Sequence, residues 1–558
     1  MKFVVKILFL QVSFLSIFAL AQQNIPQVQH VIIVIQENRT PTNLFHEDQS
    51  LIANGAHVKP TPDSGACHDK QIPLTGMVLS EFCADPDHSH VPAWEQTCDA
   101  DPISGQCRMD GACDTSAFQH CAPVLNYLPQ YTYALNNKYD KVNGILDPYF
   151  HIAESYGFAN WMFQTNQGPS FPAHQFLFSG TSAPVFFNDP GDTHQYWEWF
   201  AAENPLPNGE DAGCTAAMTQ HVLEVSPVKG QPESRGYNEG YPCYDHNTLT
   251  TLLDNANPPI SWRYYAAQKG FAIWNAPAGI KDICQPGTSA SNPDAGVSQV
   301  RCTGQDWIND VDTGNPGDVL RDLGAEKGKP CNLRHVSWVI PDGAWSDHPG
   351  IGPTDAGPSW VASIVNAVGG YDNSGNLLPN QCGYWQNTVV LITWDDWGGF
   401  YDDVPPPDCA ASGCTGYSNL TGSQYVYGFR VPLLVVSTYA KPAYISGGFG
   451  QGEFAPYIHD FGSILNFIEY AFGENGKPLG GFGGISPEYQ YADYLAPDAY
   501  PNCNSQTVCP YSLSDFFTFN RQNPFVKITG AEYPTSFFLN PGKHFANYPE
   551  APDDDDVE

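Results

Sequence analysis

The sequence predicts an α/β fold, a mainly parallel sheet covered by helices on both faces and interrupted by disulfide-rich loop insertions. Four short apolar runs, at residues 31–35, 336–340, 388–393 and 431–437, are aliphatic or β-branched almost throughout. Continuous rather than alternating hydrophobicity marks strands buried on both faces. Helical periodicity occupies the chain between and after these runs. The third observation is 16 cysteines accompanied by 51 glycines and 48 prolines, with six of the cysteines falling in a single stretch that has neither period.

Taken in order, residues 31–35 are too short for a helix and run straight into Gln36-Glu37-Asn38. Residues 51–121 hold Cys67, Cys83, Cys98, Cys107, Cys113 and Cys121 among Gly, Pro and Asp, which reads as an insertion stapled by disulfides. No C-x-x-C pair occurs, so zinc-ribbon and thioredoxin readings lack their spacing. Cys409/Cys414 and Cys503/Cys509 could each close a small local loop. Ser170, two residues before Pro172, reads as the N-cap of a helix running toward Gly180. Residues 188–242 form a second loop-rich insertion. In 359–368, Val361, Ile364, Val365 and Val368 follow helical spacing and Gly369-Gly370 supplies the stop. Residues 388–393 run into Trp394-Asp395-Asp396-Trp397-Gly398-Gly399, and Ser463 reads as the N-cap of a helix over 463–472.

Residues 1–21 read as an export signal: Lys2 and Lys6 precede an apolar stretch that closes on Ala19-Leu20-Ala21. No other run approaches the ~18 apolar residues of a membrane span. A secreted or periplasmic protein without an integral membrane segment is the expectation, and an even cysteine count suits that oxidising setting. The 59 acids against 24 Lys plus Arg give a formal net charge of −35, which argues against nucleic acid as a partner and against electrostatic docking to anionic membranes. The Asp553–Asp556 run makes residues 546–558 an acidic, solvated tail.

Chemistry is expected where the strands end. Ligands in open parallel sheets bind beyond the carboxyl ends of the strands, and two of the apolar runs deliver acidic or amide clusters there. Glu37, Asn38, Asp395 and Asp396 are hard oxygen donors. With His88 and His348 in proline-flanked loops, they suit a divalent cation of unspecified identity that polarises a phosphoryl or carbonyl oxygen. Ser170 supplies a hydroxyl at a helix start, where the dipole favours a bound phosphate. There is no G-x-S-x-G elbow, H-E-x-x-H or Walker loop, which disfavours an α/β-hydrolase esterase, a thermolysin-type protease and a P-loop ATPase. Asp310-Val311-Asp312-Thr313-Gly314-Asn315 imitates the start of an EF-hand, but its glycine comes one place early.

These strings together resemble a known family. Val34-Ile35-Gln36-Glu37-Asn38-Arg39-Thr40, Gly168-Pro169-Ser170-x-Pro172, Val336 through Pro341 with Ser346-Asp347-His348-Pro349, and Thr393 through Pro406 are similar to the bacterial phosphoesterases. That family contains phosphatidylcholine-type phospholipases C and respiratory-burst-inhibiting acid phosphatases, within the alkaline phosphatase superfamily. The resemblance implies an alkaline-phosphatase-like catalytic domain over residues 22–545, with 51–121 and 188–242 as its insertions. Carried over by position, it makes Glu37, Asn38, Asp395 and Asp396 metal ligands and Ser170 the nucleophile. His88, in Asp85-Pro86-Asp87-His88-Ser89, and His348 would contact the phosphoryl group or protonate the leaving oxygen. The implied reaction is hydrolysis of a small phosphate ester or a phospholipid through a phosphoserine.

The chain departs from the family pattern at several places. Ser170, Phe171, Ala173 and His174 replace four residues of the phospholipase string G-P-T-H-P-N-R, and the Asp395-Asp396 pair is closer to the acid phosphatase branch. Asp403 and Phe461 stand where many members have histidine, and Asp282 occupies the place of another phosphate-contacting histidine. Two other readings remain open on sequence grounds: a catalytically inactive, disulfide-rich binding protein of the same fold, and a glycosidase using the Asp395/Asp396 region. The second is disfavoured because adjacent carboxylates do not supply the roughly 5–9.5 Å facing arrangement.

Overall fold

A computed structural model describes residues 25–81, 84–103, 106–119, 127–184, 200–207, 212–225, 240–267, 272–288, 300–349, 354–407, 427–448, 458–475, 477–480 and 512–540. Its centre is one eight-stranded sheet. In chain order the strands are β1 (His30–Gln36), β2 (Gly157–Ala159), β3 (Trp262–Tyr265), β4 (Val311–Asp312), β5 (Val336–Val339), β6 (Thr388–Trp394), β7 (Leu433–Ser437) and β8 (Tyr444–Ser446). Across the sheet they run β4-β3-β5-β1-β6-β7-β2-β8. The pairs from β4 to β6 are all parallel, as is β2 with β8. β7 alone is reversed, pairing antiparallel with both β6 and β2.

The expected mixed α/β architecture with a large, mostly parallel sheet is therefore present, with one correction. The fourth apolar run is as continuous as the others but antiparallel, because burial on both faces fixes the hydrophobic pattern and leaves strand direction free. Every residue of β6 is buried, and all of β1 after His30.

Helices cover both faces. The four that matter here are α1 (Asp147–Ser155), α2 (Ser170–Ser179), α3 (Gly357–Val368) and α4 (Phe461–Phe472). In register, Trp338 of β5, Ile33 of β1 and Leu391 of β6 lie side by side on one face. Trp338 donates its indole N–H to the Leu177 carbonyl of α2 at 3.2 Å. Trp394, three residues beyond Leu391, points to the opposite face and meets Tyr149 of α1 with ring centroids 5.3 Å apart. α4 packs with α2, and α3 with α1.

Two helix starts differ from their predicted caps. Pro169 is the N-cap of α2 and Ser170 its first helical residue, so the Ser170 hydroxyl is not spent on capping. Asp460 caps α4, accepting from the Ser463 N–H, while the Ser463 hydroxyl accepts from the Asp460 N–H at 2.9 Å. That reciprocal pair is a capping box, with serine as its third helical residue.

Among the described residues, disulfides join Cys67–Cys113, Cys98–Cys107, Cys214–Cys243, Cys284–Cys302 and Cys331–Cys382. Two of them close within residues 51–121. The Cys409/Cys414 and Cys503/Cys509 loops, residues 1–21 and residues 546–558 lie outside the described residues. No described helix is long and apolar enough to cross a membrane.

Candidate active site

The site forms where β1 and β6 leave the sheet together. Ile35 pairs with Thr393 and Gln36 with Trp394, so Glu37 and Asp395 come next on adjacent parallel strands. Asp395 N–H donates to the Gln36 carbonyl at 2.9 Å and Arg39 N–H to the Asp396 carbonyl at 3.0 Å. Asn38 sits at φ +59°, a left-handed turn that asparagine accepts more readily than most residues. Its N–H donates to Asp395 Oδ1 at 3.0 Å, and the same oxygen accepts the Asp396 N–H at 2.8 Å. Asp396 Oδ1 accepts from the Gly398 N–H at 2.7 Å. Gly398 has φ +61°, and a Cβ there would lie 2.4 Å from the Asn38 carbonyl oxygen, so no larger residue fits.

Backbone amides thus hold one oxygen of each aspartate and leave the other facing inward. Asp396 Oδ2 accepts the Ser170 hydroxyl at 3.3 Å. Asp395 Oδ2 lies 3.7 Å from His174 Nε2, and Glu37 Oε1 lies 3.3 Å from the same nitrogen. Glu37, Asn38, Asp395 and Asp396, expected from the sequence as metal ligands, and Ser170, the expected nucleophile, converge here with no solvent exposure.

Side chains from distant segments hold the serine. Gln164 Nε2 and Asn166 Nδ2 donate to the Gly168 carbonyl at 3.1 and 3.0 Å, and Gln164 Oε1 accepts the Trp397 N–H at 3.1 Å. The Phe171 N–H at the start of α2 donates to Asn204 Oδ1 at 2.9 Å. Residues 188–242 therefore do more than decorate the surface, since one of them occupies a free amide beside the nucleophile candidate.

The two predicted histidines arrive from different segments of the chain, with rings 6.2 Å apart. His88 comes from the Cys-rich segment 51–121. Its Nδ1–H donates to the Pro86 carbonyl at 2.9 Å and its Nε2 accepts from Asn38 Nδ2 at 3.1 Å. His348 donates from Nδ1 to the Pro349 carbonyl at 2.8 Å, and its Nε2 lies 3.8 Å from Asp85 Oδ2.

The His348 loop is tied to the end of β1. Arg39 donates from Nε and Nη2 to the Asp347 carbonyl at 2.9 and 2.5 Å, and from Nη1 to Asn43 Oδ1 at 3.1 Å. Gln36 accepts the Asp347 N–H at 3.0 Å and donates to the Trp345 carbonyl at 3.1 Å. Asp347 Oδ2 accepts from the Tyr149 hydroxyl at 2.8 Å and the Trp394 indole at 2.9 Å. Burial pushes the Asp347 carboxyl up to about 6, against the pull of Arg39 and these donors, and lowers Arg39 to about 10.

Sequence reasoning missed His174 as a member of this group, noting it only as a departure. The signal was its position four residues after Ser170, which places both on one face of a helix. Burial lowers the His174 imidazole to about 4, with Asp395 opposing the shift, so the ring brings no positive charge. Burial alone would raise Asp395, but the contacts with Glu37, His174, Ser170 and the Asn38 amide outweigh it and hold the carboxyl below its ordinary value.

The donors fit a cation. Oxygen and nitrogen atoms of Glu37, Asp395 and His174 lie within 4.8 Å of one another, and Asn38 Oδ1 and Asp395 Oδ2 are buried without a hydrogen-bond partner. Dense buried negative charge beside a neutral ring calls for a positive ion. Elsewhere His68 approaches Asp99, Asp110 and Asp114 at the surface, but the neighbouring Cys113 is in a disulfide. A second buried Ser–His–Asp group is no relay: Ser446 Oγ and Asp515 Oδ1 meet the same His459 nitrogen, at 3.0 and 3.5 Å.

Curated relatives match parts of the chain. Phospholipase C A of Mycobacterium tuberculosis is 25% identical over 230 residues, covering 38% of this chain and 37% of its own length. Non-hemolytic phospholipase C of Pseudomonas aeruginosa is 25% identical over 252 residues, 40% of this chain and 32% of its own length. Non-hemolytic phospholipase C of Burkholderia pseudomallei is 28% identical over 171 residues, 28% of this chain and 22% of its own length. The matched part is thus well under half of each relative. A solved structure of Ps i-CgsB in complex with k-i-k-neocarrahexaose aligns over 58% of this chain and 66% of its own, at 10% identity and a TM-score of 0.26, too low to bear on the fold. The model of the Phosphoesterase family matches residues 28–474, a span containing every residue of the site above, and the chain belongs to that family.

Proposed function

We propose that this protein is a divalent-cation-dependent hydrolase of phosphoric esters, with an alkaline-phosphatase-like catalytic domain over residues 22–545 and Ser170 as nucleophile. Membership of the Phosphoesterase family and relatives named phospholipase C support the reaction class. The observation that carries the reading is the Ser170 hydroxyl donating to Asp396 Oδ2 at 3.3 Å, inside a buried group that includes Glu37, Asn38 and Asp395. The substrate is a phosphate monoester or the phosphodiester of a phospholipid. Export directed by residues 1–21, to the cell exterior or the periplasm, accords with the disulfides.

Glu37, Asn38, Asp395 and Asp396 would hold the cation, which when bound polarises a phosphoryl oxygen and lowers the barrier to deprotonating a hydroxyl. Asp396 Oδ2 takes the Ser170 proton as Ser170 Oγ bonds to phosphorus. The bond from phosphorus to the leaving alcohol breaks, and His348, whose Nε2 lies 3.8 Å from Asp85 Oδ2, gives an Nε2 proton to the departing oxygen. Water then gives a proton to His348 Nε2 as its oxygen bonds to phosphorus, the bond from phosphorus to Ser170 Oγ breaks, Asp396 Oδ2 returns the proton to Ser170 Oγ, and the phosphate product leaves. His88 keeps Asn38 Nδ2 turned away from the cation position and Oδ1 available to it. The N-terminus of α2 faces the reacting phosphoryl group, so the attraction a chain of net charge −35 cannot exert at long range is built locally.

The test is turnover of p-nitrophenyl phosphate and p-nitrophenylphosphorylcholine by purified protein, with and without chelator, beside Ser170→Ala. Metal-dependent turnover lost in the variant is expected. Chelator-resistant turnover, or full activity of Ser170→Ala, would overturn the mechanism. No turnover after metal supplementation would favour the binding-protein reading.

A further inference from the structure

His174 is held in a way that a helix-packing role does not require. It lies on the second turn of α2, fully buried, with Nε2 3.3 Å from Glu37 Oε1 and 3.7 Å from Asp395 Oδ2. Those three donors lie within 4.8 Å of one another, and Asp395 Oδ2, the oxygen facing the ring, has no hydrogen-bond partner. His88 cannot play the same part, because the Pro86 carbonyl and the Asn38 amide occupy both of its nitrogens. His174 Nδ1 meets no hydrogen-bond partner. The ring's orientation is therefore set by its place on α2, one turn from Ser170, and not by an outer acceptor.

We propose that His174 Nε2 is a direct ligand of the cation, so that the centre is a mixed nitrogen and oxygen site selecting a first-row transition ion over magnesium or calcium. This rests on the reading that the cluster at the strand ends holds a cation, and it names the class of that cation. Carboxylate and amide oxygens alone suit hard ions such as magnesium and calcium, whereas an imidazole shifts preference toward zinc, iron, cobalt or copper. The exchange at His174 is simple. In the structure His174 Nε2–H donates to Glu37 Oε1. As a ligand, the ring would carry its proton on Nδ1 and offer the Nε2 lone pair.

The experiment needs no substrate. Full-length protein freed of metal by chelation is titrated calorimetrically with Co2+, Zn2+ and Mg2+, each alone, for wild type, His174→Gln and His174→Asn. The pulsed electron paramagnetic resonance of Cu2+-loaded wild type is recorded for a coordinated imidazole nitrogen. The expected result is a wild-type preference for Co2+ and Zn2+ over Mg2+ that falls by at least about tenfold in the variants while Mg2+ affinity moves less than about threefold. The nitrogen signal should be present in wild type. An unchanged Co2+/Mg2+ ratio in a folded variant, or no imidazole nitrogen in wild type, would overturn the proposal and reduce His174 to a hydrogen-bond donor for Glu37. If neither variant folds, the wild-type spectrum decides alone. Imidazole ligation without ester turnover would sink the proposed function and leave this inference standing, while turnover with oxygen-only ligation would do the reverse.

Discussion

Asn38 Nδ2 donates to His88 Nε2 at 3.1 Å, joining the end of the central strand β1 to the disulfide-rich segment 51–121. Fifty residues separate the two, and the bond decides which atom of the Asn38 amide faces the carboxylates. Removing the imidazole frees that amide to turn. His88→Ala is expected to weaken cation binding by about 10- to 100-fold, the usual cost of losing a partner that orients a ligand. His88→Gln, which can still accept from Nδ2, should recover part of it. Calorimetric titration of both variants with Co2+ alone checks this, and equal affinity in all three proteins would show that Asn38 does not depend on His88.

Arg39 is expected to act on the reaction through the loop bearing His348. Its guanidinium makes two hydrogen bonds to one carbonyl, that of Asp347, a fork that lysine cannot reproduce. Arg39→Lys should therefore lower kcat by about 10- to 100-fold through misplacement of the loop, with a smaller change in KM. The pH–rate profile should shift on the limb reporting the acid, which a purely global loss of stability would leave in place.

Arg430 and Asp402 form a fully buried bidentate pair at 2.9 and 2.8 Å, with Arg430 also donating to the His57 and Asn160 carbonyls. Arg430→Met leaves the Asp402 carboxylate without its counter-charge. A loss of about 3–5 kcal/mol in unfolding free energy is expected, read by denaturant titration. Adding Asp402→Asn should return a substantial part, because the two groups are directly coupled. His57 contacts Asp403 at 3.0 Å beside this pair. Asp403 is thus partnered by a histidine from a distant segment of the chain.

Acid should destabilise the fold through His246, which burial lowers from 6.5 to about 4. The unfolded chain takes up a proton below pH 6.5 that the folded protein refuses until about pH 4, so this contribution is intact above 6.5 and lost as pH falls through that window. The slope from one such group reaches about 1.4 kcal/mol per pH unit. His246→Phe is expected to flatten the wild-type fall in stability between pH 6.5 and 4, measured by chemical unfolding across that range. An unaltered slope would place the acid sensitivity elsewhere.

Much of the site was legible in the chain because its donors follow buried strands without interruption. A run such as Val-Ile-Ile-Val-Ile must be covered on both faces, so Gln36-Glu37-Asn38 has to emerge at a strand end, and the same holds for Asp395-Asp396 after 388–393. Ser170 was legible from the proline beside it, although its place moved from cap to first helical residue. α2 buries all ten of its residues, so no amphipathic period marked which of its side chains turn inward, and His174 was passed over.

What the sequence determined by itself is the layering and the oxygen donors it delivers: continuous apolar strands, helices between them, and carboxylate and amide groups at the strand exits. Tertiary structure decided the pairings across hundreds of residues. These are the register that sets Glu37 beside Asp395, the reversal of β7, the seating of His88 on Asn38, the fork from Arg39 to the His348 loop and the turn of His174 toward two carboxylates. Local pattern fixes which surfaces must be buried, but which buried polar groups meet is settled only by packing, where each hydrogen bond is a matter of tenths of an ångström.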